Sequence, residues 1–110
     1  MKTEWDLDVD VVTFTLTGKT IEQQDDEFPV VLDLDSNGDI VEIEVILPVQ
    51  LDVVDAILKS RNVDDATHAS ILNTVGYANM KALMLRTPAI PQPHYLADPN
   101  EVTVREFQDA

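Results

Sequence analysis

The stretch Asp33 to Glu44, DLDSNGDIVEIE, has the residue types and spacing of a calcium-binding EF-hand loop. Such a loop needs acidic or amide oxygens at its first, third and fifth positions, a glycine at the sixth and a glutamate at the twelfth. Asp33, Asp35, Asn37, Gly38 and Glu44 supply all of these. An EF-hand loop also needs a helix on each side to bring its ends together around the ion. Here the upstream flank is Phe28-Pro29-Val30-Val31-Leu32, and the downstream flank alternates from Ile40 to Ile46 before Pro48. Proline and β-branched alternation oppose helix on both sides. The same residues spell a β-hairpin, because Asn37-Gly38 tolerates the positive φ of a tight turn between two apolar runs. The hairpin is the expectation. A calcium ion held at the turn by Asp35, Asn37 and Asp39 is its residual alternative.

Other carboxylates also sit where chemistry is conceivable. Asp6, Asp8 and Asp10 alternate, so on a strand they share a face and repel one another unless a cation intervenes. Asp33 and Asp35 alternate in the same way, opposite Leu32 and Leu34. Across the hairpin they line up with Glu42 or Glu44, an arrangement that is unfavourable without a counter-ion or a basic partner. Asp6, Asp8, Asp10, Asp33, Asp35, Glu42 and Glu44 are therefore the candidate partner-binding residues. No metal site is expected: His68 and His94 have no second ligand at metal spacing. Ser36, Ser60 and Ser70 lack an elbow motif. Three scattered glycines make no phosphate loop. No catalytic residue and no cofactor is assigned, and enzymatic activity stays open without being favoured.

The elements that must position these groups can be read from periodicity. Val12, Phe14 and Leu16 alternate with threonines as a strand. Lys19 to Phe28 reads as a polar connection with a short strand near Thr20–Glu22. In the second half of the hairpin, Val41, Ile43 and Val45 form the core face, opposite Ile40, Glu42 and Glu44. After Pro48, residues 49–60 have helical spacing, with Leu51, Val54 and Leu58 on one side. Asp64 or Asp65 is a suitable N-cap for a second, longer helix. Its main stripe is expected at Ala69, Leu72, Val75, Asn79 and Leu83, with Ile71, Ala78, Ala82 and Leu85 beside it. Gly76 marks a kink or a close helix contact. Prolines 88, 91, 93 and 99 make the C-terminal segment extended, with one more short strand over 101–107. The expected architecture is α+β. A small antiparallel sheet of three or four strands (1–47) is followed by two helices (48–87) and a proline-rich extended arm (88–110).

Formal net charge is −14, from 21 acids against 7 bases, with 15 acids and 2 bases in residues 1–55. Such a field repels nucleic-acid phosphates and anionic membranes and attracts basic proteins or cations. Solubility or adaptation to a salty cytoplasm is the alternative role for the charge. There are no cysteines, so disulfides and thiolate chemistry are excluded. No apolar run approaches the ~20 residues of a membrane span, and no signal peptide is evident, so a cytoplasmic location is expected.

The stretch WDLDVDVVTFTLTGKTIEQQDDEFPVVLDLDSNGDIVEIEVI resembles the small bacterial domain-of-unknown-function family numbered 2283. The positions that carry the resemblance are Trp5-Asp6, Asp10, Glu22, Leu32-Asp33, Asp35, Gly38, Val41, Ile43-Glu44 and Val45. It covers about residues 1–46. Glu42 stands where a glycine is frequent, and Phe28-Pro29 replaces a glycine-containing turn. The resemblance implies a small antiparallel sheet without an established catalytic activity. It also suggests an antitoxin-type role, since some members look like neighbours of small basic toxin-like proteins. The leading functional expectation is a non-enzymatic interaction module that binds a basic protein, as an antitoxin or nucleic-acid mimic does, or that binds a second copy of itself. A divalent-cation-binding or carboxylate-based enzyme using Asp6, Asp10, Asp33 and Asp35 is the alternative. A structural or phage subunit is a third reading.

Overall fold

The computed structural model describes residues 1–85 and 103–104. The α+β architecture is as expected: a mainly antiparallel sheet comes first, and two helices pack on one of its faces. The strands are β1 (Lys2–Asp6), β2 (Val11–Thr15), β3 (Gln23–Glu27), β4 (Val30–Leu34) and β5 (Ile40–Ile46). Helices α1 (Leu51–Ser60) and α2 (Asp65–Leu85) follow. A two-residue strand, β6 (Thr103–Val104), pairs parallel to β1. The spatial order is β3-β4-β5-β2-β1-β6. The rest of the expected proline-rich arm, 88–110, lies outside the described residues.

The five antiparallel strands exceed the three or four expected, for two physical reasons. Trp5 and its neighbours turn back at residues 7–10 and form a hairpin with β2 instead of prolonging it. The acidic stretch Gln23–Glu27, read as a connection, is an edge strand paired with β4. Its composition is poor for a strand, but Arg61 compensates it. The Arg61 guanidinium donates to Glu27 Oε2 at 2.8 Å and also to Asp25 Oδ2. Both acids point to the helix-bearing side of the sheet, where β3 pairs Asp25 with Leu32 and Glu27 with Val30.

Arg61 is aimed by the end of α1. Asn62 takes a left-handed φ of 56°. Val63 N–H then donates to Leu58 O, and Asn62 N–H to Lys59 O. This is the Schellman closure, in which an asparagine can replace the usual glycine. At the start of α2, the Asp64 carboxylate accepts from Thr67 N–H at 3.0 Å, so Asp64 is the N-cap. Backbone hydrogen bonding there holds the Asp64 carboxyl below its ordinary value.

Alternation places the core as expected in the hairpin. Val41, Ile43 and Val45 are buried, while Ile40, Glu42 and Glu44 face the other way. Trp5, Phe14, Leu32 and Ile43 meet Val54 and Leu58 of α1 and Ile71, Val75 and Ala78 of α2. The buried stripe of α2 is thus Ile71, Val75, Ala78 and Ala82: Val75 comes from the main stripe expected, and the other three from the set beside it. Ala69 and Leu83 are exposed, and Leu51, expected on the buried side of α1, is also exposed. Apolar residues surround α2 almost completely, so periodicity alone does not fix which stripe is buried.

Asn79 joins the helices to the sheet exit. Its Oδ1 accepts from Val49 N–H at 2.9 Å, and its Nδ2 donates to Val49 O. Both backbone groups of a nearly buried residue depend on this one side chain. Asn79→Ala is expected to lower stability by about 1–3 kcal/mol, the cost of leaving such groups without partners. Urea denaturation should show a lower midpoint with the slope unchanged.

Candidate functional site

The sheet has two faces of opposite chemistry. One carries the core and both helices. The other displays Lys2, Glu4 and Asp6 on β1, Val11, Thr13 and Thr15 on β2, and Glu42, Glu44 and Ile46 on β5. Val31 and Asp33 follow on β4, then Gln24 and Asp26 on β3. Among the described residues no helix covers this outer face. The carboxylates of Glu4, Asp6, Asp26, Asp33, Glu42 and Glu44 share it with one base, Lys2, whose ammonium lies 2.9 Å from Glu4 Oε1.

Its centre is a confrontation of like charges. Register sets Asp33 directly opposite Glu42, and Glu44 lies one pair further along β5. Asp33 is only 2% exposed. Gln24 Nε2 donates to its Oδ1 at 2.8 Å, and Thr15 Oγ1 donates to Glu42 Oε1 at 3.3 Å. Glu44 is hydrogen-bonded to the Asp33 carboxyl, and that bond, with partial burial and the negative charges of Asp33 and Glu42, raises its pKa to about 7. Two carboxylates in contact cannot both stay ionised without cost, so Glu44 holds a proton over most of the acidic range. A shallow cleft of about 190 Å³ runs from Glu44 past Thr13 to Glu4 and Asp6, with Val9 and Val11 as its apolar wall.

The seven candidate residues do not form one cluster. Asp33, Glu42 and Glu44 come together. Asp6 lies on the same face, but β2 and β5 separate its strand from β4. At about 4.8 Å per strand, that puts at least roughly 14 Å between Asp6 and Asp33. Asp8 and Asp10 do not share a strand face with Asp6, because residues 7–10 form the β1–β2 turn. Asp6 Oδ1 accepts from Asp8 N–H at 3.0 Å, and Asp10 has a left-handed φ of 54°, so both belong to turn construction.

Asp35 lies past the end of β4. Its Oδ1 accepts from the N–H groups of Asn37 at 2.9 Å and Asp39 at 3.0 Å. Its Oδ2 is 3.7 Å from Lys19 Nζ. Those backbone bonds and Lys19 hold its carboxyl below the ordinary value. Asp35 therefore caps the hairpin turn, where Gly38 has φ 85°, with both of its oxygens already engaged. Asp33 and Glu44 sit on opposing strands, as expected for a hairpin and not for an EF-hand. Among the described residues, no group of three or more His, Asp or Glu side chains is arranged to hold a metal ion.

Glu4, Gln24, Asp26, Thr13 and Thr15 complete the face and were not among the candidates. The alternation Lys2-x-Glu4-x-Asp6 was the available signal for Glu4. Gln24 and Asp26 were hidden by the reading of Gln23–Glu27 as a connection. His68, near the start of α2, is half-buried. Its Nε2 lies 2.7 Å from Asp55 Oδ1, and Lys59 Nζ lies 3.0 Å from the other oxygen of Asp55. These partners hold the Asp55 carboxyl below its ordinary value. The contact ties α1 to α2, on the side of the sheet away from the acidic face.

The Glu44 contact has a pH signature. The unfolded carboxyl titrates near 4.5 and the folded one near 7. Its stabilising contribution is complete below about 4.5 and is lost as pH rises through about 7. Glu44→Gln is expected to flatten the fall in stability between those values and to raise stability at pH 8 by on the order of 1 kcal/mol. Thermal melts of both proteins across pH 4 to 8 measure it. A wild-type slope unchanged in the variant would sink this account.

No family model, curated protein or solved structure matches this chain.

Proposed function

We propose that this protein is a non-enzymatic interaction module whose outer sheet face binds a basic protein. The observation that carries the reading is the packing of Asp33, Glu42 and Glu44 on a face that no described helix covers, with Glu44 raised to about 7. Such an arrangement is costly in the free protein, and an incoming lysine or arginine relieves it. Half-buried Val11, Val31 and Ile46 lie between the carboxylates, so the face offers apolar contact together with charge. That combination suits a protein surface better than a small ion. The resemblance over residues 1–46 points the same way, toward an antitoxin-type partner role. Net charge argues against a nucleic-acid ligand. Among the described residues no helix is long and apolar enough to cross a membrane. A cytoplasmic site of action is part of this proposal.

The reading is tested with the immobilised protein and a lysate of its native host at low ionic strength. Basic proteins are retained and then released by about 0.3 M salt, where screening shortens the reach of surface charge. The eluted partner binds Glu42→Gln/Glu44→Gln at least about tenfold more weakly in calorimetry. Wild-type affinity in that variant counts against the proposal. Binding also expels the Glu44 proton. Calorimetry at pH 7 in buffers of different ionisation enthalpy therefore registers proton release, and at pH 9 it registers none.

A further inference from the structure

The outward face of α2 carries a second pattern, which the core does not use. Ala66, Ala69, Asn73, Gly76, Met80 and Leu83 recur at alternating steps of three and four residues. That spacing forms one seam along a helix and is the spacing that helix-to-helix pairing uses. The seam lies away from the buried stripe of Ile71, Val75, Ala78 and Ala82. Ala66, Ala69 and Asn73 are exposed, as are Met80 at 45% and Leu83 at 57%. Gly76 is half-buried, because Leu51 of α1, itself 41% exposed, lies against it, and Leu51 stands in for Gly76 at the surface of the seam. In a chain of net charge −14 this seam contains no ionisable side chain.

Its order of sizes decides what fits. The N-terminal half is small (Ala66, Ala69), and the C-terminal half is large (Met80, Leu83). When two copies of α2 lie antiparallel about a two-fold axis between Asn73 and Gly76, Ala66 faces Leu83 of the other copy. Ala69 likewise faces Met80, and Asn73 faces Gly76 with the Leu51 side chain that lies against it. Every large side chain then meets a small one, and each contact occurs twice, as a two-fold interface requires. A parallel pairing instead sets Met80 on Met80 and leaves alanine opposite alanine. Charge gives the same answer: a basic partner gains nothing on a neutral seam, whereas two such seams meet without repulsion. From Ala66 to Leu83 the seam provides a line of contact about 26 Å long.

We infer that α2 is a self-association surface, on which two copies of this chain pair antiparallel through the seam from Ala66 to Leu83. The interface is on the opposite side of the molecule from the acidic face, so a dimer presents two such faces outward.

Sedimentation equilibrium of the full chain at about 100 μM is expected to give a dimer. Met80→Glu and Ala69→Glu each bring a carboxylate into the seam at an exposed position. Each is expected to weaken the dimer at least about tenfold, with circular dichroism and melting of the fold retained. The absence of cysteine permits a direct test of direction. Mixed Ala69→Cys and Met80→Cys proteins are expected to cross-link to one another, and neither to cross-link efficiently to itself. A monomeric wild type, a dimer indifferent to both glutamates, or like-to-like cross-links would each overturn the proposal.

Discussion

The register of β5 is the constraint on which the rest of this protein depends. β5 lies between β4 and β2 in the sheet and pairs with both. Its alternation sends Val41, Ile43 and Val45 into the core and Glu42 and Glu44 to the other face. A slip of one residue would bury two glutamates and expose three β-branched residues, so the apolar set locks the strand in place. The Asn37-Gly38 turn, capped by Asp35, starts the strand in that register. A single irregularity near the turn, where Asp33 pairs with Glu42 but Leu34 with Ile40, takes up one extra residue. Once β5 is fixed, Asp33, Glu42 and Glu44 are forced together. Their repulsion follows from core packing and not from any contact among the acids themselves.

Among the described residues, acidic side chains confront one another in two places, and the fold treats the two differently. On the core side, Asp25 and Glu27 of the edge strand are neutralised by Arg61, which the left-handed Asn62 closure of α1 holds in place. On the outer side, Gln24 and Thr15 donate single hydrogen bonds to Asp33 and Glu42. The excess negative charge there is met by a proton on Glu44. A cation that stays with the fold stabilises one face, and an exchangeable proton stabilises the other. This difference makes the Arg61 side a structural clasp and leaves the outer face with an excess of negative charge.

The helices divide the surface in a complementary way. Nearly all of the negative charge belongs to the sheet half, while α2 contains only Asp65, His68 and Lys81 as charged or titratable groups apart from Tyr77. Lys81 lies 5.8 Å from the centre of the Tyr77 ring, to one side of the exposed apolar seam. One surface of the molecule is thus densely charged, and another is nearly free of charge. The two lie on opposite sides of the sheet, so neither needs to exclude the other.

Much of this was legible in the sequence alone. The α+β class, the Asn37-Gly38 hairpin, the inward and outward faces of β5, and an aspartate cap at 64 or 65 all follow from local chemistry: period-two alternation, turn residues and helix-start residues act within a few positions of themselves. The sequence also excluded thiol chemistry and an EF-hand, because cysteines are absent and both flanks of the loop resist helix. Only the tertiary structure decided the rest. It separated Asp8 and Asp10 from Asp6, because a left-handed residue turns the chain where alternation would have continued it. It made Gln23–Glu27 a strand, because Arg61, more than thirty residues away, supplies the charge that the segment lacks. It also chose Ile71, Val75, Ala78 and Ala82 as the buried stripe of α2, because a helix apolar on nearly every side is oriented by what it packs against.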